Sequence, residues 1–279
     1  MDAINAVTRT FTHLLMAPFL AAPWWLGLVV WALVFGALAA IAFRFTSNQS
    51  ALKRVSNEIT ASLLAMRLFN EDMLVAFKSQ GRLLRASGLR LWHSLPPLIV
   101  LIVPFMLLLA QLAMYYQFEP ARPAAADAPP NALRLVELSV RPDAWEQCAD
   151  LELSAPDGVQ VDARVRDAAK GVITWRLRPL RESGPAPFKL AWKLPGGGVL
   201  EKDFVVRQDR DALLYVSPKR PGSFGDALLY PGEAGFPKDS PVRAVSIDYP
   251  WRSGAWVVIF LVVSIIGAFA MKPFMKVQF

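Results

Sequence analysis

Three long runs without a single charge constrain this chain more than any other feature. Residues 14–43, 94–118 and 253–271 contain no Asp, Glu, Lys or Arg. A hydrocarbon core takes about 20 residues of helix to cross, so each run is long enough to span a membrane. Between the second and third runs, residues 119–252 carry 19 basic and 19 acidic residues, punctuated by Pro and Gly. That stretch is long enough for a folded domain. Three spans and one polar domain exclude a wholly soluble enzyme and a disordered chain. A disulfide-built secreted module is also excluded, because Cys148 is the only cysteine.

The net charge of +7 resembles a nucleic-acid signal until it is divided along the chain. Residues 44–93 hold eight basic residues against Glu58, Glu71 and Asp72, a net +5, and Lys272 and Lys276 supply the remaining +2. The polar domain is neutral. All the surplus lies beside membrane spans, so no DNA partner is expected. Short basic loops stay cytoplasmic while long domains translocate regardless of charge. The expected topology is N-terminus out, basic loop in, domain out and C-terminus in, as in a bacterial inner (cytoplasmic) membrane protein.

The expected fold class is an α-helical membrane protein of three transmembrane helices and a cytoplasmic helical hairpin, with an extracytoplasmic all-β, immunoglobulin-like sandwich. Residues 1–22 read as an interfacial amphipathic helix. Ile4, Val7, Phe11, Leu14 and Leu15 share one face at helical spacing, with Asn5, Thr8, Arg9 and Thr12 around it. A tilted extension of the first span, or a signal cleaved after Ala21-Ala22, are the alternatives. Pro18 and Pro23 break the helix before Trp24-Trp25, an aromatic pair suited to the headgroup level where a first span (24–43) begins.

In residues 44–93, Leu52, Val55, Ile59, Leu63, Met66 and Phe69 recur every three or four positions opposite a polar, basic face. Asn70-Glu71-Asp72 interrupts the pattern. A second helix follows with Leu74, Phe77, Leu84 and Leu91 as its stripe, and Gly81 and Gly88 offering close approach. The result is a helical hairpin, either a spacer or a basic, Met-containing arm that touches a client. A second span (95–118), a Pro/Ala linker (119–133), a β-sandwich (134–250), a third span (254–271) and a tail (272–279) complete the chain.

The first span ends in Phe43-Arg44-Phe45-Thr46-Ser47-Asn48-Gln49, and the return span opens Leu95-Pro96-Pro97-Leu98-Ile99-Val100-Leu101-Ile102-Val103-Pro104-Phe105. With the outside helix and the basic hairpin, this arrangement resembles the YidC/Oxa superfamily of membrane-protein insertases over roughly residues 1–118 and the third span. The resemblance implies a groove open to cytosol and lipid that receives short hydrophobic segments of client proteins. Arg44 and Gln111 are its expected polar members, Met66, Phe69 and Met73 the apolar contacts, and Arg67, Arg82 and Arg85 the contacts to ribosomal or lipid phosphate. Gln111 reads equally as an interhelical hydrogen bond. Bacterial insertases hold a positive charge within the groove, whereas no span here contains one. The outside domain also separates the second and third spans instead of preceding the core.

The outer region predicts strands at 133–140, 151–154, 159–165, 172–177, 188–194, 200–206, 212–216 and 242–249. Gly196-Gly197-Gly198 reads as a hairpin turn and not a phosphate loop, for no Lys-Ser/Thr or helix follows it. Asp209 and Asp211 flank Arg210 with no His beside them and read as surface. His13 and His93 are the only histidines and fall on opposite faces of the membrane, so no metal or other cofactor is expected. Cys148 is either an inert thiol or a cross-link to a partner. No enzyme is predicted. The expected partners are membrane lipids, hydrophobic client proteins or an envelope protein, and the ribosome. A non-catalytic scaffold or accessory subunit of a transporter or envelope complex is the alternative function; a channel is disfavoured because no span repeats polar residues.

Overall fold

A computed structural model describes residues 2–20, 22–68, 73–195, 197–209, 213–237 and 239–275. In chain order its helices are α1 (Asp2–Met16), α2 (Trp24–Thr46), α3 (Gln49–Leu68), α4 (Met73–Tyr116), α5 (Trp145–Cys148), α6 (Phe224–Leu229) and α7 (Ala255–Met275). The strands are β1 (Arg134–Val140), β2 (Leu153–Ser154), β3 (Val159–Asp167), β4 (Val172–Pro179), β5 (Phe188–Lys193), β6 (Val199–Phe204), β7 (Lys219–Arg220) and β8 (Val242–Ile247). The chain divides into two compact units. The β unit takes the chain up to residue 27 and residues 107–256; the helical unit takes 28–106 and everything from 257.

Three helices are long and apolar enough to cross a membrane: α2, residues 77–116 of α4, and α7. Asn48 caps α3, its side-chain oxygen accepting from the Ala51 N–H at 3.0 Å, and this turns the chain after α2. Helix α4 is one helix of 44 residues that runs from the second hairpin arm through Pro96, Pro97 and Pro104 into the second apolar run. A proline removes one helical N–H and crowds the preceding turn, yet an apolar helix tolerates it because no other conformation satisfies its remaining backbone groups in lipid.

The close-approach glycines are also not the expected ones. A Cβ at Gly81 or Gly88 would meet nothing within 4 Å. One at Gly36 would sit 2.1 Å from the Ser264 carbonyl oxygen, and one at Gly267 3.0 Å from the Leu33 oxygen. Helices α2 and α7 therefore touch backbone to backbone, as small residues allow in membranes. Phe35, Phe105 and Phe260 add a three-ring contact among the spans, with centroids 5.2, 5.8 and 6.4 Å apart.

In the β unit, two antiparallel sheets form, one in the order β3-β4-β1-β8-β7 and one in the order β2-β5-β6. Alternation buries one face of β1 (Val136, Leu138, Val140), β4, β5 (Phe188, Leu190, Trp192) and β6. Trp175 and Trp192 meet in the core with centroids 5.7 Å apart. Cys148 is fully buried in that core, and burial pushes its thiol pKa up, which leaves an inert thiol and not an exposed cross-linking group. Gly197, at φ +87°, turns the β5–β6 hairpin, and the Leu194 N–H donates to the Gly198 carbonyl at 2.7 Å.

Three expectations change. The strand expected at 212–216 is not formed over its described residues; the Val216 N–H instead donates to the Met114 carbonyl of α4 at 2.8 Å. Two short elements absent from the expected set, β7 and α6, lie between it and β8. The linker is irregular, with a turn at 126–127 and a 3₁₀ helix at Pro130–Ala132, and it is fastened to the unit. The Ala121 N–H donates to the Val205 carbonyl, the Ala124 N–H to the Pro179 carbonyl, and Arg178 to the Ala125 carbonyl while pairing with Asp162 at 2.7 Å. The chain's entry and exit are tied together where the Glu119 N–H donates to the Pro250 carbonyl and the Arg252 N–H to the Gln117 carbonyl, both at 2.9 Å.

Candidate functional site

Helix α1 is amphipathic and packs the wrong way round for water. Ile4, Val7, Phe11 and Leu14 are 50–72% exposed, while Asn5 and Thr12 are buried. The polar face docks on the β unit. Asn5 Nδ2 donates to the Ala227 carbonyl of α6 at 2.8 Å, and Arg9 Nη1 donates to the Gly232 carbonyl at 2.7 Å.

The centre of this contact is Gln111, 1% exposed on α4. Its Nε2 donates to Thr8 Oγ1, and its Oε1 accepts from the Tyr215 hydroxyl, each at 3.1 Å. Burial raises the Tyr215 pKa, so this hydroxyl remains a donor. Beside it the Tyr115 hydroxyl lies 2.6 Å from His13 Nδ1, and the Tyr215 ring lies 4.5 Å from the imidazole. Burial, then the Arg9 charge, lowers the His13 pKa, so the imidazole is neutral near pH 7 and suited to accept from Tyr115.

A cavity of about 390 Å³ opens against this network, lined in part by Arg9, His13, Asp203, Arg207 and Tyr215. Behind it lies Lys202, wholly buried on β6. Its ammonium donates to the Ser217 carbonyl at 2.6 Å and pairs with Glu233, whose other oxygen accepts from the Asp203 N–H at 2.9 Å. Burial lowers the Lys202 pKa against the opposing pull of Glu233. Gly232, which takes the Arg9 bond, immediately precedes Glu233, so α1 docking and the buried pair share one loop.

The residues the sequence singles out divide between the units. Gln111 belongs to the polar network just described, with both ends of its amide engaged. Arg44 is exposed at the end of α2. Met66 is half-buried and Arg67 exposed on α3, and Met73, Arg82 and Arg85 are exposed on α4. Phe69 lies outside the described residues. Around these cations Leu64, Leu68, Met73, Leu74 and Phe77 are all more than 60% exposed. Among the described residues no three His, Cys, Asp or Glu side chains are placed to hold a metal.

Arg9, His13 and Tyr215 were not among the expected site residues, nor was the Lys202–Glu233 pair. One signal was present in α1, whose polar face is built of Asn and Thr with a single Arg, where a helix lying free on a membrane carries a strongly charged face. No such signal marks Tyr215, in a segment that reads as a strand, or Lys202, one charge in an alternating run. Comparison with family models, with curated proteins and with solved structures found no match.

Proposed function

We propose that the chain is a multi-pass protein of a bacterial inner membrane, N-terminus out and C-terminus in, that assists the insertion or assembly of other membrane proteins. The β unit is an immunoglobulin-like sandwich on the extracytoplasmic side. The observation that carries this reading is the apolar surface on either side of residues 69–72, where Leu64, Leu68, Met73, Leu74 and Phe77 are exposed among Arg67, Lys78 and Arg82. Large exposed apolar patches mark sites that contact proteins or membranes, and flexible Met side chains suit many client sequences. The resemblance to YidC/Oxa insertases accords with such an arm joined to three spans. The basic residues supply attraction to ribosomal or lipid phosphate, and the mechanism is physical: the arm shields an apolar segment until it partitions into lipid.

Site-specific photocrosslinking in cells from Met66 and Met73 tests this reading. Transient crosslinks to many newly made membrane proteins are expected. A single stable partner, or lipid alone, overturns it in favour of the second reading, a scaffold subunit of a transporter or envelope complex. That second reading draws on Gln111, whose amide is occupied by Thr8 and Tyr215 and offers nothing to a passing client.

A further inference from the structure

The cavity beside α1 carries a charge that the docking contact does not use. Arg9 spends one guanidinium N–H on the Gly232 carbonyl and has no carboxylate partner among the described residues. Arg207 lines the same cavity and has only a loose partner, Glu182 at 3.6 Å. The carboxylate in the lining, Asp203, is paired with Lys189 at 2.5 Å. The remaining wall includes Pro185, Pro187 and Leu214, which are apolar, and the volume of about 390 Å³ falls in the usual range for small-ligand sites. A guanidinium with free donors at the edge of a partly apolar cavity matches a phosphate oxygen pair in shape and charge.

We propose that this cavity binds a phosphate group, carried by the headgroup of an anionic membrane lipid. The lipid source follows from α1 itself. Its exposed Ile4, Val7, Phe11 and Leu14 form the face that would lie among acyl chains, and a helix is about 10 Å across with its side chains. Arg9, on the opposite face, then stands at headgroup depth. The inference rests on the interfacial reading of α1, given above as part of the expected architecture.

The test is native mass spectrometry of the full chain in neutral detergent, titrated with phosphatidylglycerol, with phosphatidylcholine and, separately, with inorganic phosphate. Phosphatidylglycerol is expected to bind more tightly than phosphatidylcholine. Arg9→Gln should weaken it about tenfold, the worth of one charge-assisted contact. Because Arg9→Gln also removes the bond to Gly232, Leu214→Trp serves as a second variant that fills the cavity and leaves that bond intact; it should weaken binding at least as much. Inorganic phosphate binding more tightly than phosphatidylglycerol, and lost in both variants, would keep the anion site and assign it to free phosphate. Equal affinity for the two lipids with no phosphate binding, or affinities unchanged in both variants, would overturn the proposal. Phe11→Trp with brominated lipid, read as the quenching added over that of the parent chain's nine tryptophans, separates interface from cavity: added quenching without phosphatidylglycerol binding sinks the cavity alone, whereas no added quenching sinks the interfacial reading.

Discussion

In the β unit, the fully buried side chains include Trp175, Trp192, Phe204 and even the charged Lys202; in the helical unit, the interior is built from Leu28, Ala32, Ala40 and Phe260, with Gly36 against Ser264. Outward, the order reverses. Leu38, Ile99, Val103, Val262, Ile265 and Phe269 of the helical unit are exposed. A polypeptide in water hides its bulk and shows its charge, and the β unit follows that rule. The helical unit inverts it, which is the pattern of a surface solvated by lipid, where close backbone packing and not hydrophobic burial holds helices together. Helix α1 is instructive because it belongs to the β unit yet has the surface of the other: it buries Asn5 and Thr12 and exposes Phe11.

The sharpest way to break this contrast is at the charge that the β unit hides. Glu233→Gln leaves the Lys202 ammonium without its counter-ion and should cost about 3–5 kcal/mol, the usual penalty for orphaning one half of a buried pair. Joint replacement of Lys202 by Met and Glu233 by Leu should cost far less. Denaturation of the full chain, followed by the far-ultraviolet circular dichroism of its strands, measures both; equal losses for the single and double variants would refute the account.

The helical unit should fail by steric conflict instead. Gly36→Leu drives a side chain into the Ser264 backbone, which cannot yield as a flexible side chain would. Overpacking of this kind costs about 1–3 kcal/mol. Thermal unfolding in detergent should fall for Gly36→Leu and stay unchanged for Gly81→Leu, whose surroundings are open. A reversed order would remove Gly36 from the α2–α7 contact.

Those two glycines also show what the sequence could and could not convey. Charge-free runs and alternation made the three spans and most strands legible, because hydrophobic period is a local property. Which glycine meets a neighbour depends on how helices rotate, so Gly81 looked as good as Gly36. The Pro96-Pro97 pair marked the return span, and nothing local to it conveyed that one helix runs through both prolines from the hairpin arm. Gln111 stood out as the strongest polar group in the second run; its partners Thr8 and Tyr215, more than 100 positions away on either side, were not legible. Residues 119–133 read as an extended linker, but no local pattern could indicate the 3₁₀ helix at Pro130–Ala132 or that the Val205 and Pro179 carbonyls would fasten the segment.

A smaller effect tests whether α1 is held by polar groups as argued. Gln111→Leu removes a donor and an acceptor; the half-buried Tyr215 hydroxyl loses its partner, while Thr8 Oγ1 keeps its bonds to the Ile4 and Asn5 carbonyls. One half-buried hydroxyl left unsatisfied costs about 1 kcal/mol, the low end of the range for such groups. Proteolysis within residues 1–20 of the membrane-reconstituted chain should accelerate, while Leu38→Ala, on the exposed face of α2, should leave it unchanged. Equal rates for Gln111→Leu and the parent chain would show that the apolar face, and not the network, retains the helix.

The smallest expected effect is a pH dependence of the same contact, and its sign follows from His13. With α1 docked, burial and the neighbouring Arg9 hold the imidazole below its ordinary value of 6.5. The released helix takes up a proton first, so the undocked state gains as acid is added. Docking is therefore at full strength above pH 6.5 and weakens as pH falls from there through the lowered value. Tyr115 and Tyr215 face His13, and burial raises the Tyr215 pKa, so that ring stays a neutral contact as the imidazole titrates. The emission that Phe11→Trp adds over the parent chain's nine tryptophans, in a uniform detergent, should report release on passing from pH 8 to pH 5, and the added variant His13→Gln should flatten the response. Release that grows toward alkaline pH, or an unchanged profile with Gln at position 13, would mean that the polar face of α1 is held by Gln111 and Arg9 without a contribution from the histidine.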